Sequence, residues 1–184
     1  MSKYEVVEKF VSINGEGTKA GQLAVFIRFK GCNLNCKYCD TKWANEQETP
    51  SQPMTEKEIL DYVLSTGVKN VTLTGGEPLL REGIENVITV LAENNLNIEI
   101  ETNGSVYLDK IRKLHKENVT FTMDYKLSCS GMEAAMNVDN FNILSSNDTV
   151  KFVAGCREDL IKAKQIIEKY NLYGKCNLYI SPVF

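Results

Sequence analysis

"AVFIRFKGCNLNCKYCDT", residues 24–41, runs from a short apolar stretch straight into a loop with three cysteines. Residues 24–29 are β-branched or aromatic at most positions, the composition of a covered strand. The loop then sets Cys32, Cys36 and Cys39 within eight residues and follows them with Asp40 and Thr41. A reactive loop directly after a buried strand is the layout of α/β folds. There, sites collect beyond the C-terminal ends of parallel strands.

Five further runs repeat the strand pattern: 70–75, 97–102, 119–125, 149–154 and 177–181. All are short and nearly continuous in hydrophobicity, as expected of strands covered on one or both faces. Helical stretches lie between them. "TEKEILDYVLSTG" (55–67) opens on Thr55 with Glu58 three residues on, a capping box, and closes on Gly67. Its Ile59, Leu60, Val63 and Leu64 form one apolar stripe. "REGIENVITVLAENN" (81–95) and "REDLIKAKQIIEKYN" (157–171) have the spacing of helices lying on a sheet. The alternation predicts parallel strands with right-handed crossovers. About six β-α units fall short of a full eight-fold barrel. The expected fold is an incomplete, TIM-like β/α barrel in a single domain, 1–184.

That fold sorts the unusual residues. "TGGEP" (74–78), "ETNG" (101–104), "MDYK" (123–126) and "SP" (181–182) each end or follow a strand, as the cysteine loop does. All would share one face. Composition narrows the classes. The chain has 184 residues, 43% hydrophobic and 24% charged, with net charge −3. That is a globular composition with no broad surface for nucleic acid or an anionic membrane. No apolar run approaches the roughly 20 residues needed to span a bilayer, and "MSKYEVVEKF" has no signal-type core. A cytoplasmic location is expected, where six cysteines point to metal or catalysis rather than disulfides.

Three thiolates spaced C-x3-C-x2-C can reach one metal centre from one loop. Structural zinc takes four protein ligands, so zinc would have to recruit Cys129, Cys156, Cys176 or the sole histidine, His115. The three scattered cysteines read instead as small buried residues, and His115 as part of a lysine-rich helix end. A [4Fe-4S] cluster is also held by thiolates. Three of them leave one iron open to an external ligand.

The loop "CNLNCKYC" (32–39) resembles the cluster loop of the radical S-adenosylmethionine (SAM) superfamily, with Tyr38 in its aromatic position. "TGGEP" resembles the turn that receives the methionine amino group in that superfamily. "SINGEGTKAGQLAVFIRFKGCNLNCKYCDT" (12–41) resembles the N-terminal signature of the 7-carboxy-7-deazaguanine synthase family, and the likeness continues to "SPVF". It implies a radical SAM core, a [4Fe-4S] cluster, S-adenosyl-L-methionine and Mg2+. The implied reaction converts 6-carboxy-5,6,7,8-tetrahydropterin to 7-carboxy-7-deazaguanine with loss of ammonia, in queuosine biosynthesis. A 5′-deoxyadenosyl radical would take hydrogen from C6.

The resemblance also implies residue roles. Cys32, Cys36 and Cys39 would ligate the cluster, and Thr41 would meet Mg2+, with Asp40 beside it. Ile13, Asn14, Gly15, Glu16, Arg28 and Thr74 would bind substrate. Tyr38, Gly75, Gly76, Glu77, Asn103, Lys126 and Ser128 would line the cofactor side. No side chain is identified as the proton-removing group. A flavodoxin or ferredoxin as electron donor and a homodimer are implied, with no nucleic acid and no membrane. Three features depart from the family pattern: Asn14 stands where glutamine is usual, Cys129 stands where a serine is usual, and the chain ends directly after its last strand. Two other readings compete. One is a glycyl-radical-enzyme activase, which would need a broad protein-docking face. The other is a zinc-stabilised binding module.

Overall fold

The computed structural model describes residues 3–114 and 117–183; His115 lies outside the described residues. Among them, eight strands form one sheet: β1 (Tyr4–Ile13), β2 (Leu23–Phe29), β3 (Gln52–Met54), β4 (Asn70–Gly75), β5 (Asn97–Thr102), β6 (Val119–Tyr125), β7 (Thr149–Ala154) and β8 (Asn177–Pro182). Their order is β3-β1-β2-β4-β5-β6-β7-β8. From β2 to β8 every neighbouring pair is parallel, which gives the six strands expected. The sheet keeps two free edges, so the barrel is partial. β1 and β3 add antiparallel strands that the apolar runs did not reveal. β1, "YEVVEKFVSI", mixes charge into its alternation because one face meets solvent.

The parallel strands are not uniformly apolar, as expected, but two-faced. Val25, Ile27 and Phe29 of β2, Val71 and Leu73 of β4, and Ile98 and Ile100 of β5 are fully buried in the core. So are Phe121 of β6 and Phe152 of β7, at 1% exposure or less. Residues one step away face inward and are mostly polar: Arg28, Thr74, Glu101, Asp124 and Lys151. Alternation with period two puts every second residue on the concave side.

Helices cover the outer face. α1 (Glu56–Thr66) has the predicted capping box, with Thr55 accepting from the Glu58 N–H, and ends on Gly67 at φ 71°. Ile59 and Val63 are buried, but Leu64 at the stripe's edge is 46% exposed. α2 (Ile84–Glu93) buries Ile84, Val87, Ile88 and Leu91. α3 (Asp109–Leu114) is short. α4 (Arg157–Lys169) buries Ala163, Ile166 and Ile167 and leaves Leu160 and Ile161 exposed. Between β6 and β7 three 3-10 turns stand where an α-helix would, and Phe141 from the third packs between Tyr125 and Tyr170.

The floor of the barrel is a polar plug. Residues 14–22 join β1 to β2 at the N-terminal ends of the parallel strands. Asn14 is buried there and donates from Nδ2 to Glu99 of β5 and, at 3.4 Å, to Thr72. The Thr122 hydroxyl donates to the other Glu99 oxygen at 2.6 Å. Gly17 sits against this group at φ +62°, where a Cβ would lie 2.6 Å from Thr122 Oγ1.

A second buried carboxylate ties α3 to the sheet. Asp148 is fully buried and takes both its oxygens to Arg112 at 2.6 Å, with further donors from the Phe121 and Ser145 N–H groups. Removing one partner of a buried pair leaves the other charge unpaired, at a cost of about 3–5 kcal/mol. Asp148→Ala is therefore expected to lose about that much stability, measured by urea unfolding. A loss below about 1 kcal/mol would contradict the assignment.

Candidate active site

A cavity of about 690 Å³ opens on the concave side of the sheet, above the plug. Its wall begins with the cysteine loop, which leaves β2 at Phe29. Cys32, Cys36 and Cys39 all line it, with Tyr38, Asp40 and Thr41. Cys36 is buried; its burial pushes the thiol up, and Lys126 pulls against that. Cys32 Sγ accepts from the Leu34 N–H at 3.4 Å and from Asn103 Nδ2 at 3.5 Å. Thr41 Oγ1 lies 3.7 Å from Cys39 Sγ. Burial also raises the Tyr38 phenol, whose hydroxyl donates to the Val153 carbonyl at 3.4 Å.

The three loop sulfurs do not all lie within 4.8 Å of one another. Sulfurs on one tetrahedral zinc stand roughly 3.7 Å apart, from Zn–S bonds of about 2.3 Å. Among the described residues, a three-ligand group within 4.8 Å forms elsewhere and not in this loop. A multi-iron cluster needs the wider spacing, and all-thiolate donors suit it. Two buried acceptors on the cavity wall, Asn45 Oδ1 and Asp124 Oδ1, have no partner in the protein. They fit a site that takes a ligand with donor groups.

The "TGGEP" turn fixes this loop. The Gly76 N–H donates to the Phe29 carbonyl at 3.2 Å and the Glu77 N–H to the Gly31 carbonyl at 3.0 Å. A Cβ on Gly76 would lie 2.2 Å from the Gly31 oxygen, and one on Gly75 2.2 Å from the Phe29 oxygen. Only glycine permits that approach. Glu77 is fully buried beneath the turn. It accepts from the Thr102 hydroxyl at 3.0 Å, the Asn103 N–H at 2.7 Å and the Leu79 N–H at 3.0 Å. Burial pushes its carboxyl up to about 7, against those hydrogen bonds.

The opposite wall is charged. Lys151 donates to both Glu16 oxygens at 2.8 and 2.7 Å and lies 3.6 Å from Asp124. Lys126 donates to Asp124 Oδ2 at 2.7 Å. Burial alone would lower both lysines, but Asp124 with Cys36 and Cys39 around Lys126, and Asp124 with Glu16 around Lys151, together hold them above their usual range. Arg28 donates from Nε to Glu8 at 2.9 Å, across the β1–β2 pairing. Thr74 and Glu101 sit between these groups.

The sequence profile of the Radical SAM superfamily matches residues 26–126. The chain is 59% identical over 182 residues to the 7-carboxy-7-deazaguanine synthase of Clostridium acetobutylicum, covering 98% of this chain and 82% of that protein. The chain belongs to the 7-carboxy-7-deazaguanine synthase family of radical SAM enzymes. The synthase of Methanospirillum hungatei is 33% identical over 184 residues, covering all of this chain and 74% of its own. Among solved structures, QueE from Escherichia coli shares the fold at a TM-score of 0.75 and 22% identity, covering 98% of this chain and 84% of that one. SuiB from Streptococcus suis, solved with S-adenosylmethionine, shares it at a TM-score of 0.61 and 17% identity, covering 84% of this chain and 39% of that one.

Most of the residues read from the family motifs meet in the cavity: Cys32, Cys36, Cys39, Tyr38, Thr41, Gly15, Glu16, Arg28, Thr74, Gly75, Gly76, Asn103 and Lys126. Four do not. The Ile13 side chain is 65% exposed and off the cavity wall. Asn14 is spent on the floor, bonded to Glu99 beneath the substrate space. Glu77 serves the turn from below rather than facing the cavity. Ser128 is exposed and donates to Glu133 at 2.5 Å. The glycines also admit the neighbouring backbone while lining the cavity. Reading by motif missed Phe26, Asn45, Glu101, Asp124 and Lys151. For Glu101, Asp124 and Lys151 the available signal was polar residues set into apolar strands.

Glu101 is the most perturbed of the missed groups. Burial pushes it from an ordinary 4.5 up to about 7, with Glu16 and Glu99 adding and a Thr74 hydrogen bond opposing. Between those values the folded chain holds a proton that the unfolded chain has released. Stability must then fall as pH rises through that window. Glu101→Gln does not titrate there. Wild type is expected to lose stability relative to the variant from about pH 4.5 to 7, measured by denaturant titration at several pH values. A pH-independent difference would refute the raised carboxyl.

Proposed function

We propose that the chain converts 6-carboxy-5,6,7,8-tetrahydropterin to 7-carboxy-7-deazaguanine, in queuosine and 7-deazapurine biosynthesis. The observation that carries this is one cavity lined both by the three cysteines and by Arg28 and the Glu16–Lys151 pair. Product equals substrate less ammonia, so the reaction has no net redox change and needs no consumed oxidant. When bound, the [4Fe-4S] cluster and S-adenosyl-L-methionine supply the hydrogen-atom abstraction that starts it. Cys32, Cys36 and Cys39 hold the cluster, and Asn103 donates toward Cys32.

The protein's own groups bind and orient. Arg28 keeps its Nε on Glu8 and turns its remaining donors to the substrate carboxylate, a pairing suited to a planar fork. Glu16 accepts from the aminopyrimidinone edge while Lys151 compensates its charge. Glu101, with its carboxyl raised toward neutrality, can hold or release a proton at the cavity wall. Thr41 offers a hydroxyl to Mg2+, with Asp40 beside it and water completing the shell.

A flavodoxin- or ferredoxin-type protein would deliver the electron, and the cytoplasm would be the place of action. No helix among the described residues is long and apolar enough to cross a membrane. A homodimer is supported by the free β8 edge, where Tyr179 and Ile180 are 43% and 55% exposed. Neither the activase nor the zinc-module reading is favoured by any of these features. The cysteine loop lacks zinc spacing, and the charged wall suits a small carboxylated substrate.

The test is an anaerobic assay with reconstituted protein, S-adenosyl-L-methionine, reductant, Mg2+ and the pterin, read by mass spectrometry. Product in excess of S-adenosyl-L-methionine consumed is expected. Formation of 5′-deoxyadenosine without product would overturn the substrate assignment. Thr41→Ala is expected to keep its iron but lose the stimulation by Mg2+. An unchanged Mg2+ response would remove Thr41 from the ion.

A further inference from the structure

Two cysteines outside the cavity meet a buried carboxylate. Cys129 lies in the first 3-10 turn after β6, and Cys156 directly precedes α4. Their sulfurs stand 3.0 Å apart. With a carboxylate oxygen of Asp159 they lie within 4.8 Å of one another. Asp159 is fully buried and held from behind, the Cys129 N–H donating to Oδ1 at 3.2 Å and the Gly155 N–H to Oδ2 at 2.9 Å. Each oxygen keeps acceptor capacity. Both cysteines are partly exposed, so an ion can reach them from solution.

We propose that Cys129, Cys156 and Asp159 form a second metal site, for a thiophilic divalent ion such as Zn2+, with water in the fourth position. Two thiolates sharing zinc stand roughly 3.7 Å apart, so the pair need open by only about 0.7 Å. Soft thiolates with one carboxylate are a donor set that zinc accepts. Closing to a disulfide instead requires about 2.05 Å between sulfurs and a thiolate to attack. The surroundings oppose that thiolate. The buried Asp159 carboxylate, within 4.8 Å of both sulfurs, disfavours a further negative charge beside it. A divalent cation reverses this balance. It takes the place of the two thiol protons, which pass to solvent, and offsets the carboxylate charge.

The location suggests what the ion would brace. Gly155, between the two ligand segments, has room for a Cβ only 3.1 Å from Cys129 Cβ and 3.4 Å from Val183 Cγ2. Val183 lines the catalytic cavity. The same 3-10 turn receives the Lys37 N–H of the cluster loop on the Ser130 carbonyl at 3.0 Å. The ion would staple the cavity wall from outside.

The test uses protein with its cluster reconstituted, so that the loop thiols are already taken. Anaerobic dialysis against buffered micromolar Zn2+ and metal counting by mass spectrometry should find one zinc per chain above the iron. The Cys129→Ser/Cys156→Ser double variant should have none. In the wild type, zinc should slow iodoacetamide labelling of Cys129 and Cys156 by about tenfold or more, mapped on peptides. That second reading does not depend on the variant folding. Equal zinc in the double variant, or labelling unaffected by zinc, would overturn the proposal.

Discussion

Everything at the active site hangs on one close backbone approach. The Gly76 and Glu77 N–H groups donate to the Phe29 and Gly31 carbonyls, across a gap with no room for a Cβ. This locks the start of the cysteine loop to the end of β4. Glu77 extends the lock to β5 through Thr102 and Asn103. Asn103 in turn reaches Cys32. Three strand ends are thereby held in register around the thiols before any cofactor arrives. Preorganisation of this kind keeps the ordering cost out of the binding step.

The second constraint is electrical. A partial barrel with a polar concave face would be unstable if its charges were unpaired. Here they are paired in chains: Glu16 with Lys151, Lys151 with Asp124, Asp124 with Lys126, and Arg28 with Glu8. The floor repeats the device with Asn14, Thr72 and Thr122 around Glu99. A substrate carrying a carboxylate and several donors can exchange into such a network without leaving a bare charge. Glu101 is the exception, burial keeping its carboxyl near neutrality.

Much of this was legible in the chain. Six strand runs and the α1 capping box at Thr55 and Glu58 are local patterns, and they formed where they were read. The cysteine spacing and the glycines of "TGGEP" are local as well. β1 escaped notice because its charged residues dilute the apolar signal, though pairing with β2 supplies its hydrogen bonds. Leu160 and Ile161 are apolar residues of α4, yet they point to solvent while Ala163 and Ile166 pack. Periodicity alone does not say which arc of a helix the sheet will cover.

What the sequence determined by itself was the six parallel strands, the main helices between them and the thiolate chemistry of one loop, because each rests on a pattern of residues a few places apart. The tertiary structure decided which side chains share a space. It sent Asn14 to the floor and Glu77 beneath a turn. It brought Lys151 to Glu16, 135 residues away, and Cys129 to Cys156 and Asp159. Such meetings follow from strand order and from every second residue turning inward. No local pattern carries that information, since burial and pairing belong to the packed sheet rather than to any one segment.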